Sequence, residues 1–242
     1  MTEPYCDPVT GECTPAPLEG FNQEKAITKP EAEIIYVGDP MCSWCWGISP
    51  ALKTLRDHYK TQNVSFNIVV GGLRPGGGDP WNDEMKAFLK HHWEEVNARS
   101  GQPFGYKLFD KEEFNYDTEP ACRAMVAARP LLNGDELEFF SAIKKKFYVA
   151  SEDPTQIEFY ESICQAFNIS FSEFTEKFES EAIKKATYDE FVMNRGWGIS
   201  GYPTVLLKKG EQMYRVTYGY ATFDIMKEQI DHILSLKEEE AR

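Results

Sequence analysis

The chain has 242 residues, enough for one large domain or two small ones with a packed core. Hydrophobic residues make up 42% of the sequence and aromatic residues 14%, which is the composition of a globular protein rather than a disordered one. The formal net charge is −13, and an acidic surface repels phosphate backbones and anionic lipids. The composition therefore argues against nucleic acid and membranes as partners.

No targeting segment is visible in the sequence. No apolar run approaches the roughly 20 residues that a membrane-spanning helix requires. The first residues, 1–4, have neither the basic segment nor the apolar stretch of a secretory signal, so we expect a cytoplasmic protein. Six cysteines are too few for a disulfide-stapled scaffold, and in a reducing compartment paired cysteines more often serve redox or metal chemistry.

The amino-terminal third predicts a tail followed by a strand, a helix and a second strand. Residues 1–30 are rich in proline, which predicts an irregular tail. The apolar run 33–38 predicts a strand, and apolar residues at helical spacing predict a helix over 42–60 that is kinked at Pro50. The β-branched residues of 64–70 predict the second strand, which must run parallel to the first because a helix connects them.

The rest of the chain predicts a block of helices and then a hairpin. After residue 201 the pattern changes to two strands, 204–208 and 213–218, joined by a short turn, and a closing helix begins near Thr222. The helices of the block are predicted at 81–98, 118–128, 135–149, 154–167 and 172–193.

Cys42 and Cys45 lie directly after the first predicted strand, at the start of the first helix. The free amides and partial positive charge of a helix amino terminus stabilise an anion, so the position favours a reactive thiolate at Cys42. We expect Cys42 to attack a partner disulfide and the more buried Cys45 to resolve the mixed disulfide. Zinc sites use the same spacing, but a four-thiolate site would need a second pair, for which Cys6 and Cys13 are the candidates.

Several segments resemble the DsbA-like family of thioredoxin-fold oxidoreductases. Residues 39–46 are similar to the active-site turn of that family, and Pro50 resembles the proline that kinks the helix after it. Residues 198–207 resemble the cis-proline strand, and 118–124 resemble a helix of the inserted helical domain. Residues 71–75 look like a feature of a cytoplasmic subgroup described as predicted protein-disulfide isomerases.

The resemblance spans residues 33–237 and implies an α/β thioredoxin fold. Its central mixed β-sheet is flanked by helices, and an all-α helical domain is inserted between the second and third strands. The implied organisation is an irregular tail at 1–30, a thioredoxin-fold core formed by 31–75 together with 195–242, and a helical insertion at 76–194.

The resemblance also implies a substrate site. The Tyr202–Pro203 peptide bond should be cis and lie beside the cysteine pair, where the family docks an extended substrate strand. Tyr202, Pro203 and Trp44 are therefore the predicted substrate-binding residues. The implied substrate is a protein or small molecule that contains a thiol or a disulfide. No metal and no cofactor beyond the redox-active disulfide is implied, and glutathione is a candidate co-substrate.

The sequence departs from the family at two positions. The residues between the cysteines lack the histidine of strongly oxidising members, so we expect a less oxidising pair. Oxidase, reductase and isomerase activities all stay open. The sequence also leaves the oligomeric state open. Tyr36 stands where thioredoxins bury a carboxylate. Asp39 is the nearest candidate for proton transfer to Cys45, although it can equally cap the turn into the helix.

Three further interpretations follow from the sequence. Cys6 and Cys13 form a candidate second redox pair, with metal binding or two free thiols as alternatives. The same fold is shared by glutathione-dependent isomerases and transferases of the 2-hydroxychromene-2-carboxylate isomerase type, which usually lack the intact cysteine pair. A zinc-binding or non-catalytic binding module is the third candidate.

Overall fold

The computed structural model describes residues 30–236 and, for the backbone only, two short strands nearer the amino terminus. These two strands are β1 (Tyr5–Cys6) and β2 (Cys13–Thr14). They pair antiparallel, and Cys6 is aligned with Cys13 across the pair.

The core of the fold is a four-stranded mixed sheet with the spatial order β4-β3-β5-β6. Its strands are β3 (Ala32–Gly38), β4 (Val64–Val70), β5 (Thr204–Lys209) and β6 (Gln212–Tyr218). β3 pairs parallel with β4, and the other two pairings are antiparallel. The four strands and the direction of their pairing confirm the predictions made from the sequence.

Helices flank this sheet and fill the connection between β4 and β5. The helices of the described part are α1 (Ser43–Gly47), α2 (Ser49–Tyr59), α3 (Asp83–Ser100), α4 (Glu119–Ala128), α5 (Glu136–Tyr148), α6 (Glu161–Ala166), α7 (Phe171–Glu179), α8 (Glu181–Gly196) and α9 (Phe223–Ser235). Helices α3 to α8, with three short 3-10 turns, form the all-helical insertion between the second and third strands of the sheet that was predicted. No helix among residues 30–236 is long and apolar enough to cross a membrane.

The structure corrects the extent of three predicted helices. The helix expected over 42–60 is two helices that meet at Ile48, because Pro50 has no amide hydrogen to continue the ladder and instead occupies the first turn of α2. The helix expected over 172–193 is divided at Ser180, whose side chain accepts a hydrogen bond from the Ile183 amide and caps α8. The helix expected from residue 154 begins later, as a 3-10 turn at Ile157–Tyr160 that leads into α6.

A half-buried ion pair joins the helical insertion to the edge strand β4. The Arg129 guanidinium lies 2.5 Å from a Glu190 carboxylate oxygen and donates a second hydrogen bond to the Ile68 carbonyl. The other Glu190 oxygen accepts a hydrogen bond of 2.8 Å from the Val70 amide. The insertion is therefore held against the sheet at the end of β4 where the cysteine pair lies.

Candidate active site

The cysteine pair lies where the chain leaves β3 and enters α1. Cys42 has an extended backbone and occupies the N-cap position of α1, while Cys45 lies inside the helix. Both thiols are free. Cys42 retains 6% of its accessible surface, whereas Cys45 retains none. The first cysteine is therefore the more exposed of the two.

The surroundings of the two sulfurs shift the pKa values of Cys42 and Cys45 in opposite directions. The interaction with the Cys45 sulfur, reinforced by burial, raises the pKa of Cys42 well above its usual value. Burial would also raise the pKa of Cys45, but interactions with the Cys42 thiol, the Tyr36 hydroxyl, the Asp39 amide and the Lys144 ammonium lower it. The Asp39 amide lies 3.5 Å from the Cys45 sulfur. The surroundings therefore favour the thiolate form of Cys45 over that of Cys42, whereas the helix start alone favours it at Cys42.

The turn at Tyr202 contacts the accessible cysteine. The Tyr202–Pro203 peptide bond is cis. The Cys42 sulfur lies 3.5 Å from the Tyr202 carbonyl oxygen, although the two residues are 160 positions apart. The Tyr202 hydroxyl donates to the Gly71 carbonyl at 2.6 Å, which fixes the turn against the loop that follows β4. The structure thus brings Cys42, Tyr202 and Pro203 together at one end of the sheet.

Asp39 is fully buried beside this turn and acts as a cap. One of its carboxylate oxygens accepts a hydrogen bond of 2.8 Å from the Met41 amide, and the other accepts one of 2.7 Å from the Leu73 amide. The Cys122 thiol lies 3.4 Å from the second oxygen. Burial raises the pKa of Asp39, and the two amides oppose this effect. The turn-capping role predicted for Asp39 is therefore visible in its contacts.

Trp44 lies at the rim of the site. Its ring is half-buried, and its centroid is 5.9 Å from that of the Tyr220 ring. The Arg99 guanidinium, from the helical insertion, lies 5.8 Å from the centroid of the same Tyr220 ring. Two aromatic rings and one cation thus flank the entrance to the cysteine pair, and neither Tyr220 nor Arg99 was singled out from the sequence.

Lys144 is a second residue that sequence reasoning missed. It is fully buried in α5, and its Nζ donates to the Cys45 carbonyl at 3.1 Å and to the Ser49 hydroxyl at 2.6 Å. Burial lowers the pKa of Lys144 to about 7. Its spacing gave a signal, because it lies four residues after Phe140 and four before Tyr148, on the apolar stripe of the helix.

Tyr36 occupies the centre of the sheet beneath the pair. It is fully buried, and burial raises the pKa of its hydroxyl well above the usual value. Its ring packs edge-on against Phe140, with the ring centroids 5.7 Å apart. Within standard hydrogen-bond geometry this hydroxyl has no partner among the described residues. The environment of Cys45 therefore contains Lys144 and Tyr36, and Tyr36 stands at the position where thioredoxins bury a carboxylate.

The remaining cysteine prediction lies largely outside the described residues. The backbone places Cys6 opposite Cys13, but the side chains that would form a second redox pair or a metal site are not among those described. Between residues 30 and 236, no group of three or more His, Cys, Asp or Glu side chains is arranged to hold a metal ion.

Comparison with known proteins identifies the family. The model of the family described as thioredoxin matches residues 35–228, which is most of the chain. The chain belongs to the thioredoxin family. This match confirms the fold and the family that the sequence motifs had indicated.

Solved structures of similar fold include several described as disulfide oxidoreductases. A crystal structure from Nitrosomonas europaea, provisionally described as a protein disulfide isomerase, is 34% identical, covers 84% of this chain and 98% of that one, and superposes with a TM-score of 0.78. The cytosolic disulfide reductase DsbM from Pseudomonas aeruginosa is 20% identical, covers 85% and 100%, and has a TM-score of 0.66. DsbA oxidoreductases are also among the structural neighbours.

One curated relative carries a different description. The ClpXP adapter protein SpxH of Bacillus subtilis is 22% identical over 181 residues, which is 73% of this chain. The chain spans only 58% of the length of that relative.

Proposed function

We propose that the protein is a thiol–disulfide oxidoreductase in which Cys42 is the nucleophile and Cys45 the resolving thiol. The observation that carries the proposal is the pairing of an accessible sulfur at a helix start with a buried sulfur one turn inside, next to the Tyr202 carbonyl. The disulfide isomerase and reductase descriptions of the structural neighbours support the same reaction class.

The proposed reaction has two displacement steps. Transfer of the shared proton from Cys42 to Cys45 gives an accessible Cys42 thiolate, which attacks a substrate disulfide and releases the first substrate thiol. The Cys45 sulfur then loses that proton and attacks Cys42, which releases the second substrate thiol and leaves the Cys42–Cys45 disulfide. Two electrons and the one proton of the pair pass to the substrate, the second released sulfur takes its proton from the surroundings, and the reverse sequence oxidises a dithiol.

The substrate is proposed to dock against the Tyr202–Pro203 turn and the rim formed by Trp44 and Tyr220. An extended peptide suits the exposed backbone of such a turn, because it can exchange main-chain hydrogen bonds there. Glutathione is proposed as a co-substrate, and the structure of DsbM with glutathione, a protein of similar fold, supports a small thiol. Its description as cytosolic accords with the cytoplasmic location that we propose.

Two alternative functions do not use the pair in this way. The fold is shared with 2-hydroxychromene-2-carboxylate isomerase, at 13% identity and a TM-score of 0.57, but two facing cysteine sulfurs favour exchange chemistry over that reaction. A non-catalytic binding role is suggested by the similarity to the SpxH adapter. Such a role would not require either sulfur, so cysteine variants separate it from catalysis.

An insulin-reduction assay with a glutathione or dithiol reductant tests the proposal. Cys42→Ser should lose the activity, and Cys45→Ser should accumulate mixed disulfides through Cys42. Cys164→Ser is the matched control, because this buried cysteine lies in α6, away from the pair, and its loss should leave activity unchanged. Retention of activity by Cys42→Ser would exclude the proposed nucleophile.

A further inference from the structure

A buried cation from the helical insertion lies directly beneath the cysteine pair. Lys144 is in α5, 99 residues from Cys45 in sequence, yet its Nζ contacts the Cys45 carbonyl at 3.1 Å. The same nitrogen contacts the Ser49 hydroxyl at 2.6 Å, and Ser49 in turn donates to the Cys45 carbonyl at 2.9 Å. Three polar groups are thus locked together behind α1.

No carboxylate neutralises this lysine within the part of the chain that the structure describes. Its hydrogen-bond acceptors are the two neutral oxygens of Cys45 and Ser49. From its own helix the Phe140 ring faces it at 4.5 Å, and from β3 the Tyr36 ring faces it at 5.9 Å. An ammonium taken out of water without a counter-ion is strongly disfavoured. The charged groups that favour its protonation are the two cysteine sulfurs.

We propose that Lys144 holds the second proton of the reduced pair, so that it is an ammonium while Cys45 is a thiolate and becomes a neutral amine when the disulfide forms. This inference rests on the proposed redox reaction and adds the fate of its protons. Lys144 is then a positioning residue that acts through Cys45. It exchanges a proton with the pair in the chain that has Tyr36 where thioredoxins bury a carboxylate.

The proton balance of the reaction closes with this assignment. The reduced protein carries one proton on the Cys42 thiol and one on Lys144. When two electrons pass to a substrate disulfide, its S–S bond breaks and the Cys42–Cys45 bond forms. The two protons, one from each residue, convert the released sulfurs to thiols, and Lys144 remains as an uncharged amine in its buried site.

Ser49 gives the lysine a connection to solvent. Besides contacting Nζ, Ser49 lines an open groove of about 450 Å³ between α2 and α5, together with Trp46 and Gln102. A hydroxyl both donates and accepts, so it can pass a proton between the groove and the Lys144 amine. The helical insertion thereby contributes both the Lys144 amine and one wall of the groove that connects this amine to water.

The first test measures thiolate absorbance against pH in the reduced protein, relative to the oxidised protein, with Cys6 and Cys13 replaced by serine. Lys144→Met should move the midpoint of thiolate formation upward by at least one pH unit, which is a tenfold or greater loss of thiolate. Lys145→Met, on the exposed side of the same helix, should leave it unchanged. An unchanged midpoint in Lys144→Met would overturn the proposal.

A second test uses unsubstituted protein and so does not depend on the variant folding. The lysine side-chain NMR resonance that titrates far below the exposed lysines is followed in both redox states. Its midpoint should be lower when the pair is oxidised, and equal midpoints in the two states would contradict the proposal. Neither test uses a substrate, so a failed insulin assay and a failed lysine test are distinct results.

Discussion

Replacing Lys144 with methionine should stabilise the oxidised protein at neutral pH. Methionine replaces the four-atom apolar part of the lysine side chain and removes the ammonium, which burial holds out of water. Beside the reduced pair, burial lowers the pKa of Lys144 from 10.5 to about 7, although the two cysteine sulfurs raise it. The oxidised protein lacks those negative sulfurs, so protonating the buried amine there costs at least about 5 kcal/mol. The variant also loses hydrogen bonds to Ser49 and Cys45, so we expect a net gain of about 1–3 kcal/mol at pH 7.

The pH dependence of this gain is a sharper prediction than its size. The unfolded chain binds a proton at Lys144 up to about pH 10.5, whereas the folded oxidised chain does so only at a pH below 7, because the cysteine sulfurs no longer raise the pKa of the amine. Between these values the unfolded state holds more protons, so wild-type stability rises with pH, and the penalty is complete only below pH 7. From pH 7 to pH 9 the advantage of Lys144→Met should therefore shrink by about 2 kcal/mol.

Urea unfolding at the two pH values measures both quantities. The oxidised protein is used because the thiols of the pair then do not titrate in this range. Packing differences between methionine and lysine cancel in the difference between the two pH values. Lys145→Met, which alters an exposed lysine of the same helix, should show no change with pH. A gain that is equal at pH 7 and pH 9 would refute the account of Lys144 as a buried titrating amine.

Substitutions at three other positions test contacts at the pair and between the insertion and β4. Glu190→Ala should cost about 1–3 kcal/mol in urea unfolding, because it removes one of the two carboxylates paired with Arg129 and the acceptor of the Val70 amide. Glu190→Gln should cost less, and equal costs would contradict this. Gly71→Ala would place a Cβ 2.7 Å from the Tyr202 ring and so displace the turn beside Cys42. Insulin reduction should fall at least about tenfold, while the free energy of unfolding changes by about 1–3 kcal/mol. Unaltered activity would refute this role of the turn. Tyr36→Phe removes a buried hydroxyl without a standard hydrogen bond, so the free energy of unfolding should change by less than about 1 kcal/mol. Thiolate formation should move to higher pH, because the hydroxyl lowers the pKa of Cys45. A large loss of stability would contradict this prediction.

The sheet was predictable because its strands carry local signals. Residues 33–38 and 64–70 are apolar runs bounded by turn residues, and the change of period after residue 201 indicates the closing hairpin. The break at Ile48 was placed two residues late, because the sequence marks Pro50 itself while the missing hydrogen bond interrupts the preceding turn. The break at Ser180 was not predicted, because the serine that caps α8 lies within an otherwise continuous helical pattern.

The site was only half visible in the sequence, because some of its contacts join distant elements. The cysteine pair and Tyr202–Pro203 were found through their motifs, although 160 positions separate Cys42 from Tyr202. Lys144 lies in a run of three lysines that is typical of a solvated helix face, and its burial depends on packing of α5 against α1. The pKa of Cys45 is lowered by the Cys42 thiol, the Tyr36 hydroxyl and the Asp39 amide and, to a smaller extent, by Lys144 across that same contact. The helix start alone indicates none of these interactions.

Equilibration with glutathione redox buffers followed by peptide mapping tests the central claim most directly. The protein is brought to equilibrium at a series of ratios of oxidised to reduced glutathione, quenched, alkylated and digested. We predict a two-electron transition in which Cys42 and Cys45 become joined to each other while Cys122 and Cys164 stay free. A pair that stays reduced at every ratio, or a disulfide that forms through Cys122 instead, would contradict the account.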